Sequence, residues 1–569
     1  MVRMMGFSLA GVAVVAAALM SVVAAQNYSE VKPVTSMDCG SFHTVVMIKD
    51  NSVNMVKDWG ANGKGQLGLN DTKDRGDNDG EVGELLPEVA LSTTARATAI
   101  TAGLRHTAAI MDDGTVRSWG YNGKGQLGVG SIVNVGDDEN EMRDNMVVTT
   151  LGQNVTPNAL HAGGWHTCAI VNSGLLKCWG YNQWGELGLG DKNDRGDEPG
   201  EMGENLDFVD LGEGVNVTAV ALGDWHSCAL IDDGDVKCWG KNFAGQLGLD
   251  DTKHRGDNSG EMGDELPTVY LGDIKATAIA CGEEHTCAIL ETGELRCWGL
   301  GSSGQLGQGN MQNVGDFEGD MANLLGIDLG SDRTAIQVVA GGNHTCARLD
   351  NDDVKCWGAN EYGQLGQEDT TFRGSTPNQM GDFLDPVQLG TGRTIRSLSA
   401  GYYHTCALMD EFDEETETDE VGVVACWGAN DKGQMGLGIS ETENIGDDPG
   451  EMGDNLETAN FEGAFVEEDT GDEWYEETWF YIVCGVAGGI LLCCLCILIK
   501  YAHGDSSGRG DYKPSPIIAA GTEVDPVTDG AKGASDTPST VDPKATATAF
   551  AATAPAATET PPTPSENHA

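Results

Sequence analysis

One motif recurs seven times along this 569-residue chain at an almost constant spacing. In each copy a histidine follows a glycine by three residues, as in "AGGWHT" and "AGYYHT". The seven are His43, His106, His166, His226, His285, His344 and His404, at intervals of 63, 60, 60, 59, 59 and 60 residues. A Trp-Gly pair and a Gly-rich unit such as "NGKGQLG" follow each of them. Self-similarity with this period predicts an array of repeated structural units.

Each copy has the pattern of short β-strands. In the third copy, "HTCAIV" and "LLKCW" flank "NSG", and a closing Gly suits a three-residue hairpin loop with a left-handed Gly. Upstream runs such as "ATAIAC" supply a further strand. Short strands and Gly-rich turns at a fixed period predict an all-β fold, a seven-bladed β-propeller. The alternative is an open solenoid, but seven nearly equal units without an evident polar cap favour closure.

The units "AGGWHTCAIVNSGLLKCWGYNQWGELGLGD" and "LGDWHSCALIDDGDVKCWGKNFAGQLGLDD" closely resemble the regulator of chromosome condensation repeat. Seven copies cover residues 39–460. The resemblance implies seven blades in one closed domain. It leaves the activity open, because one fold hosts many functions.

Two apolar runs flank the repeats. Residues 1–25 carry Arg3, an apolar stretch and small residues near a cleavage point, which predicts a secretory signal peptide; a signal anchor is the alternative. The uncharged run 479–499 is 21 residues long, enough to span a bilayer, and Lys500 after it favours a cytosolic tail. The predicted order is signal peptide 1–25, propeller 26–462, acidic juxtamembrane stalk 463–478, transmembrane helix 479–499 and disordered cytosolic tail 500–569. We therefore expect a single-pass type I membrane protein of the cell surface or the secretory-pathway lumen.

The formal net charge of −56 excludes the basic footprint that nucleic-acid binding needs and favours cations and basic partners. Candidate N-glycosylation sites agree with a lumenal or extracellular propeller. They are Asn27, Asn70, Asn154, Asn216 and Asn343.

Five repeats carry two cysteines at matching positions, and two repeats carry neither. The pairs are Cys168/Cys178, Cys228/Cys238, Cys287/Cys297, Cys346/Cys356 and Cys406/Cys426. If the hairpin loop is 172–174, Cys168 directly faces Cys178, with the β-carbons about as close as a disulfide needs. The seventh repeat gains ten residues within "DEFDEETETDEVG" and keeps both cysteines. We therefore predict five within-blade disulfides and an oxidising compartment. The alternatives are free thiols and metal binding, for which the close spacing of zinc sites is missing.

Five other cysteines have different expected roles. Cys39 and Cys281 share one repeat position in non-neighbouring blades, so we expect two buried thiols. Cys493, Cys494 and Cys496 lie at the cytosolic end of the predicted span, where palmitoylation and plain helix packing are both open. The GxxxG of the span, Gly485 and Gly489, is compatible with a homodimer through the transmembrane helix.

Acidic loops such as "RGDNSGEMGDELP" occupy the second half of several repeats. Their carboxylates at matching offsets are Asp77, Glu81, Glu84, Asp197, Glu201, Glu204, Asp257, Glu261, Asp264, Asp447, Glu451 and Asp454. Oxygen ligands on a Gly-rich loop suit Ca²⁺, but the EF-hand spacing is missing, and a solvated acidic loop is the alternative. The Arg-Gly-Asp triplets in these loops resemble an adhesion motif, but the same triplet at 509–511 falls on the predicted cytosolic side, where adhesion is impossible. Their repetition in the loops follows from repeat duplication.

Catalytic signatures are weak. "GKGQLG" matches a dinucleotide fingerprint, but here it recurs as a blade turn. The seven histidines lie too far apart around a propeller to bind one metal, so we expect hydrogen bonds that stabilise the blades. No Ser-His-Asp set or HExxH motif stands out, and we predict neither enzyme activity nor a cofactor, apart from Ca²⁺.

These observations favour a non-enzymatic, membrane-anchored propeller that binds a protein or glycan ligand on the extracellular or lumenal side. Two alternatives stay open. The family resemblance implies guanine-nucleotide exchange on a small GTPase, which needs cytosolic or nuclear placement. The acidic loops allow a structural, calcium-binding surface protein.

Overall fold

Seven antiparallel sheets, each of three consecutive strands, are formed by the residues that the computed structural model describes: 33–50, 53–78, 80–413, 418–438 and 443–459. Each sheet comes from one sequence repeat, and its strands pair in chain order. The predicted all-β fold with seven repeated sheets, consistent with a seven-bladed propeller, is confirmed. We call the strands of each blade inner, middle and outer, in chain order.

The strands are β1 (Val34–Cys39), β2 (His43–Asp50) and β3 (Val53–Gly60) in blade 1; β4 (Ala97–Ala102), β5 (His106–Met111) and β6 (Val116–Gly120) in blade 2; β7 (Pro157–Ala162), β8 (His166–Val171) and β9 (Leu175–Gly180) in blade 3; β10 (Val217–Leu222), β11 (His226–Ile231) and β12 (Val236–Gly240) in blade 4; β13 (Ala276–Cys281), β14 (His285–Leu290) and β15 (Leu295–Gly299) in blade 5; β16 (Ala335–Ala340), β17 (His344–Leu349) and β18 (Val354–Gly358) in blade 6; and β19 (Arg393–Ala400), β20 (His404–Asp413) and β21 (Thr418–Gly428) in blade 7.

A short helical turn lies in the long connection that follows each outer strand. Six of these turns are 3₁₀ helices: Gly83–Leu85, Arg143–Asn145, Gly203–Asn205, Gly263–Glu265, Gly381–Phe383 and Gly453–Asn455. The connection after blade 5 has α1 (Asp320–Asn323) instead.

The hydrophobic core lies between neighbouring blades. One cluster joins Ile170 and Leu176 of blade 3 to Val220 and Trp239 of blade 4. The tryptophan of every Trp-Gly pair is fully buried in such a cluster. A lone three-stranded sheet cannot bury both of its faces, so each blade depends on its two neighbours.

The first and last blades pack in the same way. Val46 and Trp59 of blade 1 share a cluster with Leu408 and Val424 of blade 7. The indole nitrogen of Trp59 donates to the backbone carbonyl of Gln434, at 2.9 Å. The ring of sheets is therefore closed, and the solenoid alternative is wrong for this chain.

Several predicted features lie outside the described residues. They are the signal peptide 1–25, the stalk 463–478, the span 479–499 with Gly485 and Gly489, the tail 500–569, Asn27, and Cys493, Cys494 and Cys496. Within the described ranges, no helix is long and apolar enough to cross a membrane.

Candidate functional site

The connections that lead into the middle strands and those that leave the outer strands lie on one face of the ring. In every blade the middle-strand histidine pairs with the last glycine of the outer strand, for example His166 with Gly180. The residues just before that histidine and just after that glycine therefore meet at the same end of the blade. We call this end the mouth face. The hairpin loops between middle and outer strands lie at the opposite end.

The seven repeat histidines form a ring of hydrogen bonds between blades. In each case the histidine Nε2 atom contacts a hydroxyl of the next blade, at 2.8–3.1 Å. The hydroxyls belong to Thr107, Thr167, Ser227, Thr286, Thr345, Thr405 and Thr44, in the order of the histidines. The expected stabilising hydrogen bond exists, and it joins two blades rather than the strands of one.

The same hydroxyls also bind the Gly-Gln-Leu-Gly segment of the preceding blade through a backbone carbonyl. Thr167 donates to the backbone carbonyl of Gln126, at 2.9 Å, and the indole of Trp179 donates to that carbonyl at 3.0 Å. Because the hydroxyl proton is used in this way, the histidine must donate from Nε2. The histidine, the hydroxyl, the indole and this backbone carbonyl are therefore parts of one relay that holds each blade to the preceding one, except that in blade 2 the Trp119 indole makes no such bond.

Burial keeps these histidines neutral. Desolvation lowers the pKa of His43 to about 3 and that of His106 to about 4. The glycine three residues earlier makes room for the ring: a Cβ at Gly40 would overlap the His43 imidazole and the Gly103 carbonyl. Both repeat signatures thus serve the interface between blades.

The inner strands enclose a central cavity of about 480 Å³. Two aspartates that line it differ in their partners. Asp38 accepts four hydrogen bonds, from the Ser399 and Thr101 hydroxyls and two backbone N–H groups, at 2.9–3.0 Å. Asp224 at the mouth has no hydrogen bond to its carboxylate from any described residue. Burial, and then the nearby Glu283 and Glu284, raise the pKa of Asp224 to about 7.

Glu283 is held in place at the same end of the cavity. The Tyr402 hydroxyl and the Asn343 side-chain amide, the latter at 3.1 Å, both donate to its Oε2 atom. Glu284 forms an ion pair with Lys241. The mouth therefore has two neighbouring carboxyl groups, Glu283, which is held by donors, and Asp224, which exchanges its proton near neutral pH.

Aromatic side chains surround the mouth on two sides. On blades 2 to 4, Trp165 and Trp225 stack with ring centroids 5.7 Å apart, and Tyr121 and Tyr181 pack against them edge-on at 5.7 and 5.4 Å. We call these four the aromatic arc. Lys124 lies over Tyr181, 4.9 Å from the ring centroid.

A second aromatic cluster covers the junction of blades 6, 7 and 1. Tyr402 and Tyr403 have centroids 4.6 Å apart, and Phe42 and Tyr362 pack against this pair. Tyr362 is 38% exposed, and Phe243, beyond the aromatic arc, is 55% exposed. The mouth face thus combines half-buried rings with carboxylates.

The cysteine pairs face each other across the middle and outer strands. All five predicted pairs form disulfides in the structure, each with a Cα–Cα distance of 4.1 Å: Cys168–Cys178, Cys228–Cys238, Cys287–Cys297, Cys346–Cys356 and Cys406–Cys426. In blade 7 the pairing holds although both strands are longer. Cys39, which is buried, and Cys281, which is half-buried, carry free thiols.

The candidate calcium ligands do not all converge. In blade 3 the Asp197 and Glu201 side chains hydrogen-bond to each other, and burial raises the pKa of Asp197 to about 6. Glu201 also accepts backbone N–H groups of its own loop, whereas Glu204 turns away and accepts the N–H of Gln153.

Other acidic loops follow the same plan. Asp77/Glu81 and Asp257/Glu261 are adjacent carboxyl pairs, and Glu451 accepts three backbone N–H groups near Asp447. Asp264 and Asp454 accept N–H groups of a separate loop, and the side chain of Glu84 lies outside the described residues. In blade 6, the neutral Gln379 makes the same loop contacts as Glu451, so holding this loop needs no charge.

The described sequons differ in exposure. Asn154 and Asn216 are exposed. Asn70 is half-buried, and its side-chain oxygen accepts the N–H groups of Glu141 and Met142. Asn343 is half-buried and holds Glu283.

Seven repeated sheets, an interblade histidine relay and a central cavity define a propeller of the regulator of chromosome condensation (RCC1) repeat class. The "RCC1-like domain" model matches residues 162–466, and RCC1 repeat models match 59–110 and 97–126. The chain belongs to the RCC1-like domain family.

Similar proteins span most of the chain. The "Ultraviolet-B receptor UVR8" of Arabidopsis thaliana is 27% identical over 464 residues, which cover 79% of this chain and 90% of the relative. The mitochondrial "RCC1 domain-containing protein RUG3" of the same plant is 28% identical over 375 residues, 66% of this chain and 76% of the relative. The crystal structure of human WBSCR16 has a TM-score of 0.52 and 20% identity, covers 67% of this chain and 88% of its own, and shows the fold alone.

Sequence reasoning missed the mouth face. Its signal was present: Trp165, Trp225 and Tyr403 immediately precede repeat histidines, and Tyr121 and Tyr181 follow the Trp-Gly pairs. These positions vary between repeats, and only the closed ring brings them together.

Proposed function

We propose that this chain is a non-enzymatic binding module whose mouth face takes a protein or glycan ligand on the extracellular or lumenal side of a membrane. The observation that carries the proposal is the aromatic arc beside the unpaired carboxylate of Asp224.

The aromatic arc suits recognition. Trp and Tyr give large contact areas at low entropic cost and are enriched where interfaces concentrate their binding energy. A flat indole such as Trp225 also stacks on the apolar face of a sugar ring. The neighbouring pair of Trp165 and Trp225 gives a rigid platform, since each ring restrains the other.

The charge of the mouth selects among ligands. Asp224 and Glu283 present carboxylate oxygens that accept hydrogen bonds from ammonium, guanidinium or hydroxyl groups. With a net charge of −56 on the whole chain, basic proteins and neutral or basic glycans are the favoured partners, and polyphosphates are repelled.

The placement outside the cytosol is part of the same proposal. Five bonded cysteine pairs suit an oxidising compartment, and Asn154 and Asn216 are exposed sequons. A cleaved signal at 1–25 and a span at 479–499 would give this topology.

Binding is tested on the full-length protein in detergent micelles with two probes, a hexalysine peptide and the neutral glucan cellohexaose. Quenching of tryptophan fluorescence and calorimetry report binding. We expect one probe to bind, and Trp165→Ala/Trp225→Ala to weaken that binding at least tenfold. The matched control is Leu175→Ala, which truncates a 40% exposed side chain beside the hairpin loop at the opposite end of blade 3. Equal binding by both variants, or no binding of either probe, would overturn the assignment of the mouth face.

Topology is tested by protease protection in sealed microsomes with a tag on the C-terminus. Protection of the propeller with cleavage of the tail supports the proposal and removes nucleotide exchange on a cytosolic GTPase. Digestion of the propeller with survival of the tail would make exchange the leading function.

A further inference from the structure

Among the residues that the structure describes, both free cysteines lie beside a disulfide of the neighbouring blade. The sulfur of Cys39 in blade 1 lies within 4.8 Å of the Cys406 sulfur in blade 7, and both lie within that distance of a ring nitrogen of His404. In the same way, the sulfur of Cys281 in blade 5, the Cys228 sulfur and a ring nitrogen of His226 in blade 4 all lie within 4.8 Å of one another. Cys406 and Cys228 are themselves in disulfides, with Cys426 and Cys238 respectively.

The backbone fixes both arrangements. The N–H of Cys39 donates to the hydroxyl of Ser399, at 3.0 Å, and Ser399 is the strand partner of Cys406. The thiol of Cys281 contacts the carbonyl of Ala221, at 3.5 Å, and Ala221 is the partner of Cys228. The other five repeats have aliphatic residues at the position of Cys39 and Cys281: Ala102, Ala162, Leu222, Ala340 and Ala400. A third sulfur next to a disulfide is therefore found at two blade junctions and is not a general feature of the repeat.

We propose that these two clusters are thiol–disulfide exchange sites that convert a within-blade bond into a bond between blades. The thiolate of Cys39 attacks the Cys406 sulfur, the Cys39–Cys406 bond forms, the Cys406–Cys426 bond breaks, and Cys426 leaves as a thiolate that takes up a proton. Cys281 reacts with Cys228 in the same way and releases Cys238. Thiols and disulfides are conserved in number, so no external oxidant or reductant is consumed.

The positions of the two junctions give the exchange a consequence. Within the described residues, blades 1 and 7 share no strand, so side-chain and backbone contacts alone close the ring there. The second junction, between blades 4 and 5, lies across the ring from the first. With both interblade bonds formed, blades 1–4 and blades 5–7 are covalently joined at both of their common boundaries. The exchanged form is a locked ring, and its new thiols are Cys426 and Cys238.

The closed interface keeps the exchange slow. Burial raises the pKa of Cys39 and that of Cys281 to about 12, so little attacking thiolate is present at neutral pH. Admission of water to the junction, or a higher pH, increases the thiolate fraction. Local separation of two blades therefore triggers the formation of the bond that prevents further separation.

Peptide mapping tests the proposal on the full-length protein, purified without added thiol. The protein is incubated at neutral pH and about two pH units higher, with and without mild urea. It is then alkylated in acid with N-ethylmaleimide and digested without reduction. We expect peptides that link Cys39 to Cys406 and Cys228 to Cys281, at least tenfold more abundant at the higher pH in urea, with alkylated Cys426 and Cys238 in equal amount.

The controls use the residue that four other blades already have. Cys39→Ala should abolish the Cys39–Cys406 peptide and the alkylation of Cys426, and leave the Cys228–Cys281 peptide unchanged; Cys281→Ala should do the reverse. Alkylation of Cys39 and Cys281 without alkylation of Cys426 or Cys238 under any condition would overturn the proposal. So would a link between Cys39 and Cys281, at comparable yield, because it would indicate general scrambling.

Discussion

The Nε2 atom of His404 lies 3.1 Å from the Oγ1 atom of Thr44, although 360 residues separate them in the chain. This contact is the seventh of the interblade histidine bonds and completes the ring. Its geometry matches the six contacts between blades that are consecutive in sequence, so the junction of the first and last blades is built like any other.

The first prediction concerns that junction. Thr44→Val removes the hydroxyl and leaves the His404 N–H buried without a partner, while the Gln434 carbonyl keeps its bond from Trp59. We expect the free energy of unfolding in urea to fall by about 1–3 kcal/mol, the usual cost of one unpaired buried polar group.

Two further variants serve as comparisons for this prediction. Thr345→Val, between blades 5 and 6, should give a loss of similar size. Ser227→Thr keeps a hydroxyl at the equivalent position and should therefore cost less than Thr44→Val. A harmless Thr44→Val would contradict a structural role for the relay.

The second prediction is a stability maximum near pH 6.5. The buried repeat histidines have pKa values of about 3 to 4 in the fold and about 6.5 when unfolded, so acidification protonates the unfolded chain first. Their contribution is full above pH 6.5 and is lost as the pH falls towards 4. On the other side, Asp224 and Glu186 keep their protons in the fold to about pH 7 and 8, so stability falls as the pH rises towards those values. Urea midpoints measured from pH 4.5 to 9 check this, and a flat profile would contradict it.

The third prediction isolates Glu186. Six repeats have Gln at this position, where the side-chain oxygen accepts a backbone N–H two residues earlier; Glu186 accepts the N–H of Trp184 in the same way, at 2.8 Å. Burial raises the pKa of Glu186 to about 8. Glu186→Gln removes the cost of keeping this carboxyl protonated and should stabilise the protein by up to about 3 kcal/mol at pH 7 and by little at pH 4.5. The exposed Glu198→Gln makes the same charge change and is the control, and an equal gain at pH 7 in both variants would contradict the assignment to Glu186.

The features that the sequence predicts correctly, the facing cysteine pairs and the number of sheets, depend only on strand register and on the repeat period. The hairpin loop at 172–174 sets Cys168 opposite Cys178, and the structure has that pair. A period near 60 residues predicted seven sheets, which are present. These inferences are local, because neighbouring strands of one repeat decide them.

Contacts between different blades could not be predicted from the pattern within one repeat. Asp224 and Glu283 belong to different blades, as do Cys39 and Cys406, and each meeting depends on the angle between two sheets. The repeat pattern predicts a stabilising hydrogen bond for the histidines, but its partner is a hydroxyl of the next blade, which the pattern within one repeat does not reveal. The candidate site is formed by contacts of this kind.

The fourth prediction uses two equivalent loops with different partners. Lys192 of blade 3 lies 2.8 Å from Asp257 of blade 4, and its charge helps to lower the pKa of that carboxyl. The equivalent of Lys192 in blade 2 is Ile132, and the equivalent of Asp257 in blade 3 is Asp197, whose pKa is about 6 beside Glu201. We expect Ile132→Lys to lower the pKa of Asp197, measured by NMR titration, and to raise stability at pH 7 by less than about 1 kcal/mol. Lys192→Ile should raise the pKa of Asp257. Unchanged pKa values in both variants would show that these lysines do not reach the carboxyl pairs.

The last prediction adds a disulfide where the repeat lacks one. Ala108 and Ser118 of blade 2 are both buried and directly opposed, in the same register as Cys168 and Cys178 of blade 3. Ala108→Cys/Ser118→Cys should therefore form a bond and raise the free energy of unfolding by roughly 2–4 kcal/mol, because the unfolded chain is constrained. Non-reducing peptide mapping identifies the bond, and urea unfolding with and without reductant measures its effect. Each single cysteine variant serves as a control and should give no gain that reductant removes. A double variant that stays reduced in an oxidising buffer would show that the empty position in blade 2 differs from the five that carry bonds.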